Sequence, residues 1–428
     1  MSAEAGNSFS VARPPRTANL REILGGLVFT LGLMPWVSFG LNSFDSQPYT
    51  MVMGLAYLCA SRSIKSDPAI IAMCLLLTFG LCVAVLINPP TDLFLTSRGI
   101  YGYLTLAVAL LVAYDYIRRY GIPLKIIVYV NYAYLFFAFL DLFAPDISSL
   151  ISSSRTTVGR GVTSLAAEPS FFAIYLYFSS WLLLIAYDYR PPVSKVLLLS
   201  MNLFALVFLA RSALGVLLFS MTLAVSIVYL VLKFRLKTLV VLGVALVIIA
   251  AFSINLLQYL DGSRLAHLTR IVTSAAATAT LLADASFNTR LQSIIIPTVA
   301  AIKQFPTPGG FETYREIVIS SRGSFGDLFL TRGEGNRISS WTGAMMYELG
   351  AFGIATLFVI AFARTKQRFL LLLERFLLLT IAINAIPTNF PPIAFLVVFM
   401  FRPWSTIRSV VQFKSDSHED SPPCRKSN

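Results

Sequence analysis

The sequence predicts an all-α fold, a polytopic integral membrane protein of about 12 transmembrane helices with one long periplasmic loop. Three observations carry this. The 428 residues are 56% hydrophobic and only 13% charged, with mean hydropathy +0.73. A soluble domain of this length has no interior large enough to hide that apolar share, and carries about twice the charge. Apolar runs of membrane-spanning length recur along the chain. Basic connectors alternate with lysine-poor ones between those runs, as orientation in a membrane requires.

The expected spans are 22–42, 49–61, 68–88, 99–116, 122–144, 167–186, 195–210, 213–232, 238–257, 341–363, 369–387 and 391–404. About twenty helical residues cross a hydrocarbon core, so the second, seventh and twelfth are short. Arg62/Lys65, Arg118/Arg119/Lys125, Arg190/Lys195, Lys233/Arg235/Lys237 and Arg364/Lys366/Arg368 mark the cytoplasmic connectors. Connectors 42–48, 89–98, 145–166 and 387–391 fall outside. The expected organisation is a cytoplasmic tail at 1–19, nine helices over 20–257, a periplasmic loop at 258–340, three helices over 341–404 and a cytoplasmic tail at 405–428. Residues 1–19 lack a cleavable signal pattern. The expected topology is multi-pass, with both termini cytoplasmic.

The formal charge of +13 would suit nucleic acid, but much of it sits in short connectors where it sets orientation, so no nucleic-acid partner is expected. The four cysteines have no metal-ligand or redox spacing, and His267 and His418 are the only histidines. No protein-ligated metal is expected. Phosphate-loop, dinucleotide and HExxH patterns are missing, so no cofactor is expected.

The loop at 258–340 holds seven arginines: Arg264, Arg270, Arg290, Arg315, Arg322, Arg332 and Arg337. On the expected topology Arg98, Arg155, Arg160 and Arg211 also face outward, with Lys303 the one outward lysine. Arginine's planar fork grips phosphate or carboxylate oxygens in pairs, where lysine offers a point charge. An anionic substrate on the outer face accounts for that bias. Within the loop, Ser286–Gln304 has helical spacing with Asp284 or Ser286 as cap and Pro297 as a kink. The turn Phe305–Gly310 ends it, and the stretch from there to Arg337 reads as irregular, packing as a lid.

Three constellations could carry chemistry. Arg155 and Arg160 precede Glu168-Pro169-Ser170 at the head of a span, where Pro169 suits the first turn and Glu168 either caps or acts. Arg211 sits in the tight turn Ala210-Arg211-Ser212, with little loop to reach solvent. Arg290 precedes the turn at Gly309-Gly310, where glycines permit close approach of a ligand.

Together with Tyr347-Glu348-Leu349-Gly350-Ala351-Phe352-Gly353, these motifs resemble the O-antigen polymerase and ligase superfamily, the Wzy-type polysaccharide polymerases, chiefly over 145–363. The resemblance implies a multi-span inner-membrane glycosyltransferase that joins repeat units carried on undecaprenyl diphosphate at the periplasmic face, yielding O-antigen or exopolysaccharide. Its partners would be the lipid-linked oligosaccharide, the bilayer, and chain-length regulator and flippase proteins. It makes Arg160, Arg211 and Arg290 the arginines of the transfer; the general base is left unassigned by it, with Glu168 the first candidate in this chain and Glu348 the second. Arg155, Gly309, Gly310, Arg337 and Glu348 would contact substrate. Ligases resemble one another in a histidine just before the span that follows the long loop. Gly335–Trp341 has none, which favours a polymerase. A lipid-linked oligosaccharide flippase is the main alternative class, and a non-catalytic assembly subunit a third.

Overall fold

The computed structural model describes residues 19–38, 47–144, 161–233, 285–325, 338–363, 369–384 and 386–401. Every regular element among these is helical. In chain order they are α1 (Leu20–Leu33), α2 (Tyr49–Cys59), α3 (Pro68–Ile87), α4 (Leu93–Tyr120), α5 (Leu124–Phe143), α6 (Pro169–Ala186) and α7 (Val193–Phe204). The last runs into a π-helical turn, Ala205–Leu209. Then come α8 (Ala213–Lys233), α9 (Ala285–Gln304), α10 (Tyr314–Phe325), α11 (Trp341–Glu348), α12 (Ala351–Phe362), α13 (Phe369–Ala382) and α14 (Pro391–Phe401). Four of them, α3, α4, α5 and α6, are long and apolar enough to cross a membrane. The expected span at 238–257 and both tails from 1–18 and 402–428 lie outside the described residues.

α14 is the innermost of the described helices. It is apolar on every face, and all eleven of its residues are buried. A helix with no polar stripe can satisfy itself only by being surrounded. It packs against α4, α6 and α1, and Phe395 lies 4.5 Å from the ring of Phe29 on α1. α4 is the other axis of the bundle, touching α1, α2, α3 and α14. Its 28 residues reach about 42 Å at 1.5 Å each, more than a hydrocarbon core of about 30 Å. The helix is therefore longer than the apolar zone it would cross, and both of its ends carry polar clusters. Asp92 caps it, accepting from the N–H groups of Phe94 and Leu95. Sequence reading started this helix at residue 99, because Thr96, Ser97 and Arg98 interrupt the apolar run.

α5, α6 and α7 are joined by a buried polar bridge. Ser179 Oγ and Asn202 Nδ2 both donate to Asn131 Oδ1, at 2.9 and 3.0 Å. Interhelical bonds of this kind hold helices together where the hydrophobic effect cannot distinguish partner from lipid. The outer faces of α3 and α5 expose Leu75, Phe79, Leu86, Tyr129 and Phe136. Surface of that size and continuity needs an apolar environment.

Two expectations are corrected. The span drawn at 341–363 is two short helices, α11 and α12, parted at Leu349-Gly350. Gly350 has φ 56°, and a side chain there would meet the backbone of Pro306 and Pro308. Of the stretch expected to be irregular from Gly310 to Arg337, residues 314–325 instead form α10, whose Tyr314 and Val318 pack with Ile296, Ala300, Ala344 and Tyr347 of α9 and α11, and 326–337 lie outside the described residues. The expected α9 is present, assigned as helix through Pro297. Within α13, Arg375 is fully buried; its guanidinium stacks over Phe401 at 4.2 Å and donates to the Ala363 carbonyl.

Candidate functional site

One cavity of about 350 Å³ opens at the end of the bundle where α4 and α6 begin. That volume falls at the lower end of the range for small-ligand sites, roughly 300–1,000 Å³. Its wall includes Leu95, Arg98 and Gly99 of α4, Glu168, Ser170 and Phe171 at the head of α6, and Thr289 and Arg290 of α9. Phe311, Ile338, Ser339, Glu348 and the turn Pro387-Thr388-Asn389 complete it. Two guanidinium groups and two carboxylates thus share one polar space.

Each arrives by a local rule. Pro169 occupies the first turn of α6, as the sequence implies, and leaves Glu168 in extended conformation before it. The Glu168 side chain does not cap the helix. It accepts from Ser170 Oγ at 3.2 Å and faces the cavity. Glu348 is the last residue of α11. The break that follows it ends the helix at a carboxylate, and the hydroxyl of buried Tyr103 on α4 donates to Glu348 Oε2 at 2.7 Å. Arg290 sits within the first two turns of α9 and Arg98 within the first two of α4.

A backbone clasp over residues 305–313 holds these elements together. Gly309 N–H donates to Tyr347 O at 2.8 Å, and Ala351 N–H to Pro306 O at 3.0 Å. Asn88 Nδ2 donates to Pro308 O at 3.1 Å. Glu312 then grips the start of α4, accepting from the N–H groups of Thr91 and Asp92 at 3.0 Å each and from the hydroxyls of Thr91 and Thr96. Desolvation works to raise the Glu312 carboxyl, but those hydroxyl and backbone donors outweigh it and hold it down to about 2.

The structure therefore gathers Glu168, Arg290 and Glu348 from the sequence-derived candidates and leaves others elsewhere. Gly309 and Gly310 belong to the clasp, not the cavity wall. A Cβ on Gly309 would lie 2.3 Å from the Tyr347 ring, and Gly310 has φ 81° beside Asn88. Their missing side chains serve chain packing. Arg211 is exposed rather than confined. It adopts φ 46° and its Nε donates to Phe208 O at 3.3 Å, outside the cavity lining. Arg155, Arg160 and Arg337 lie outside the described residues.

Arg98 and Tyr103 were missed as site residues. Leu95, Arg98, Gly99 and Tyr103 recur three and four apart and so share one face of α4. An arginine ahead of a long apolar helix, read together with Asp92 as cap, was the available signal. It was absorbed as a loop charge because the helix was begun too late.

The cluster at the opposite end of α4 also escaped notice. Asp115 is fully buried and accepts from Arg21 at 2.6 Å, Arg119 at 2.9 Å, the Lys65 N–H at 2.7 Å and the Tyr57 hydroxyl. No family model, curated protein or solved structure matches this chain.

Proposed function

We propose that the protein is a metal-independent membrane glycosyltransferase that polymerises undecaprenyl-diphosphate-linked oligosaccharide repeat units at the periplasmic face of the bacterial inner membrane. The product would be O-antigen or exopolysaccharide. The supporting observation is the convergence of Arg98, Arg290, Glu168 and Glu348 on one cavity. A leaving lipid diphosphate develops negative charge, which fixed guanidinium groups stabilise without a metal. A carboxylate takes the proton of the attacking sugar hydroxyl. The wall supplied by α9 and the clasp would limit water, which competes as acceptor. This reading keeps about twelve spans, a periplasmic 258–340 region, cytoplasmic termini, and chain-length regulator and flippase proteins as neighbours.

A flippase needs a polar route from one face to the other. Transporters place polar groups near the bilayer midplane and carry internal repeats, whereas the charged clusters of α4 lie at its two ends and the sequence shows no repeat, which favours the enzyme over the flippase. The test is reconstitution of the purified protein in lipid vesicles with a lipid-linked repeat unit. A ladder of lengthened glycans is expected. Movement of unlengthened donor across the bilayer would replace this reading with a flippase. In the host, inactivation should leave single repeat units on the carrier; polymer that accumulates but never reaches its final acceptor would indicate a ligase.

A further inference from the structure

We infer that Glu348 is the proton acceptor of the transfer and that Tyr103 is its positioning residue, an inference that rests on the glycosyltransferase reading. Both cavity carboxylates could take the proton, and their settings differ. Glu168 stands at the N-terminal end of an eighteen-residue helix, the positive end of its dipole, where an anion is already stabilised. Its partner, Ser170, lies two residues away on the same helix, so that contact adds no constraint from elsewhere in the fold. Glu348 closes the C-terminal end of α11, where the dipole favours no anion. One of its two carboxylate oxygens, Oε2, is fixed at 2.7 Å by a hydroxyl from a different helix. Tyr103 has no exposed surface, so the hydroxyl has little freedom to move. A carboxylate held by one rigid donor presents its other oxygen, Oε1, in a set direction, as a base in a near-attack arrangement requires.

The step balances with these groups alone. The acceptor sugar hydroxyl oxygen forms a bond to the donor's anomeric carbon. The bond from that carbon to the diphosphate oxygen breaks, and its electron pair stays on the leaving lipid diphosphate beside Arg98 and Arg290. The hydroxyl proton passes to Glu348 and is lost to solvent water before the next turnover.

The test is steady-state kinetics on the purified full chain with a lipid-linked repeat unit as donor. Glu348→Gln should lower kcat by about 100-fold or more while donor KM stays within about threefold. Tyr103→Phe should lower kcat by about tenfold with donor KM unchanged. The double variant should be no slower than Glu348→Gln alone, because Tyr103 acts only through that carboxylate. A merely structural Tyr103 would give multiplied effects in the double variant and a changed KM, and would overturn its assignment. Should Glu348→Gln fail to fold, Glu348→Asp must show the same split between kcat and KM. A nearly normal kcat in Glu348→Gln with a dead Glu168→Gln would transfer the role to Glu168 and leave the polymerase reading intact. A wild-type protein that forms no polymer would remove both.

Discussion

The two ends of α4 use the same residue types for opposite purposes. At one end Asp115 is enclosed by Arg21, Arg119, Tyr57 and the Lys65 N–H, and the Ser63 carbonyl accepts from both arginines. No space is left, and the carboxylate has no exposed surface. At the other end Arg98, Arg290, Glu168 and Glu348 stand around a cavity of about 350 Å³. Composition does not distinguish the ends. What differs is the volume between the charged groups, which at the second end is large enough to admit a third party. The closed end is a structural clamp on α1, α2 and α4; the open end is where the proposed transfer would take place.

Substitutions should separate the two ends by what they damage. The largest effect on turnover after the Glu348 series should come from Arg290→Gln, at about 100-fold in kcat, with the unfolding temperature of the purified protein little changed. Arg98→Gln should follow at about tenfold. If either instead lowers stability and leaves the specific activity of folded protein intact, the open end is a second clamp. The closed end predicts the reverse. Asp115→Asn removes the negative charge that pairs two guanidinium groups and should cost roughly 3 kcal/mol of stability, read as a lower unfolding temperature, with folded protein turning over normally.

Arg211→Gln sharpens the comparison further. An exposed arginine outside the cavity lining should change donor kcat/KM by less than about threefold. A loss as large as that of Arg290→Gln would return Arg211 to the transfer site.

The smallest effect concerns the clasp. Glu312 is held at about 2 against an ordinary 4.5, so its contribution is complete above about pH 4.5. It fades as pH falls towards 2, because the unfolded chain takes up the proton first. Protection of the backbone N–H groups of 305–313 from hydrogen exchange, taken relative to the intrinsic rate at each pH, should fall over that interval, and Glu312→Gln should flatten the pH dependence.

Much of this protein was legible before any coordinates. The apolar runs located α3, α5 and α6 to within two residues, because a helix that faces lipid must be apolar along its length. Pro169 marked the start of α6 through its fixed φ and missing donor. Glu168 could be singled out because a carboxylate at the end of an apolar run is costly enough to need a reason, Arg290 by the glycine turn that follows its helix, and Glu348 by the family resemblance.

Proximity could not be read from the chain. Arg98 and Arg290 are far apart in sequence, and only the packing of α9 and α11 against the rest brings them to one space. The role of Gly309 and Gly310 was misread for a related reason: glycine signals a close approach but not what approaches, and here it is Tyr347 and Asn88. Hydropathy also joined α11 to α12, since an apolar run does not register the positive φ of Gly350 that parts them. The sequence by itself determined a helical membrane protein and its candidate chemical groups, because lipid as solvent dictates composition residue by residue. Tertiary structure alone decided which carboxylate would be clamped and which left facing a cavity, because that depends on volume remaining between helices distant in sequence.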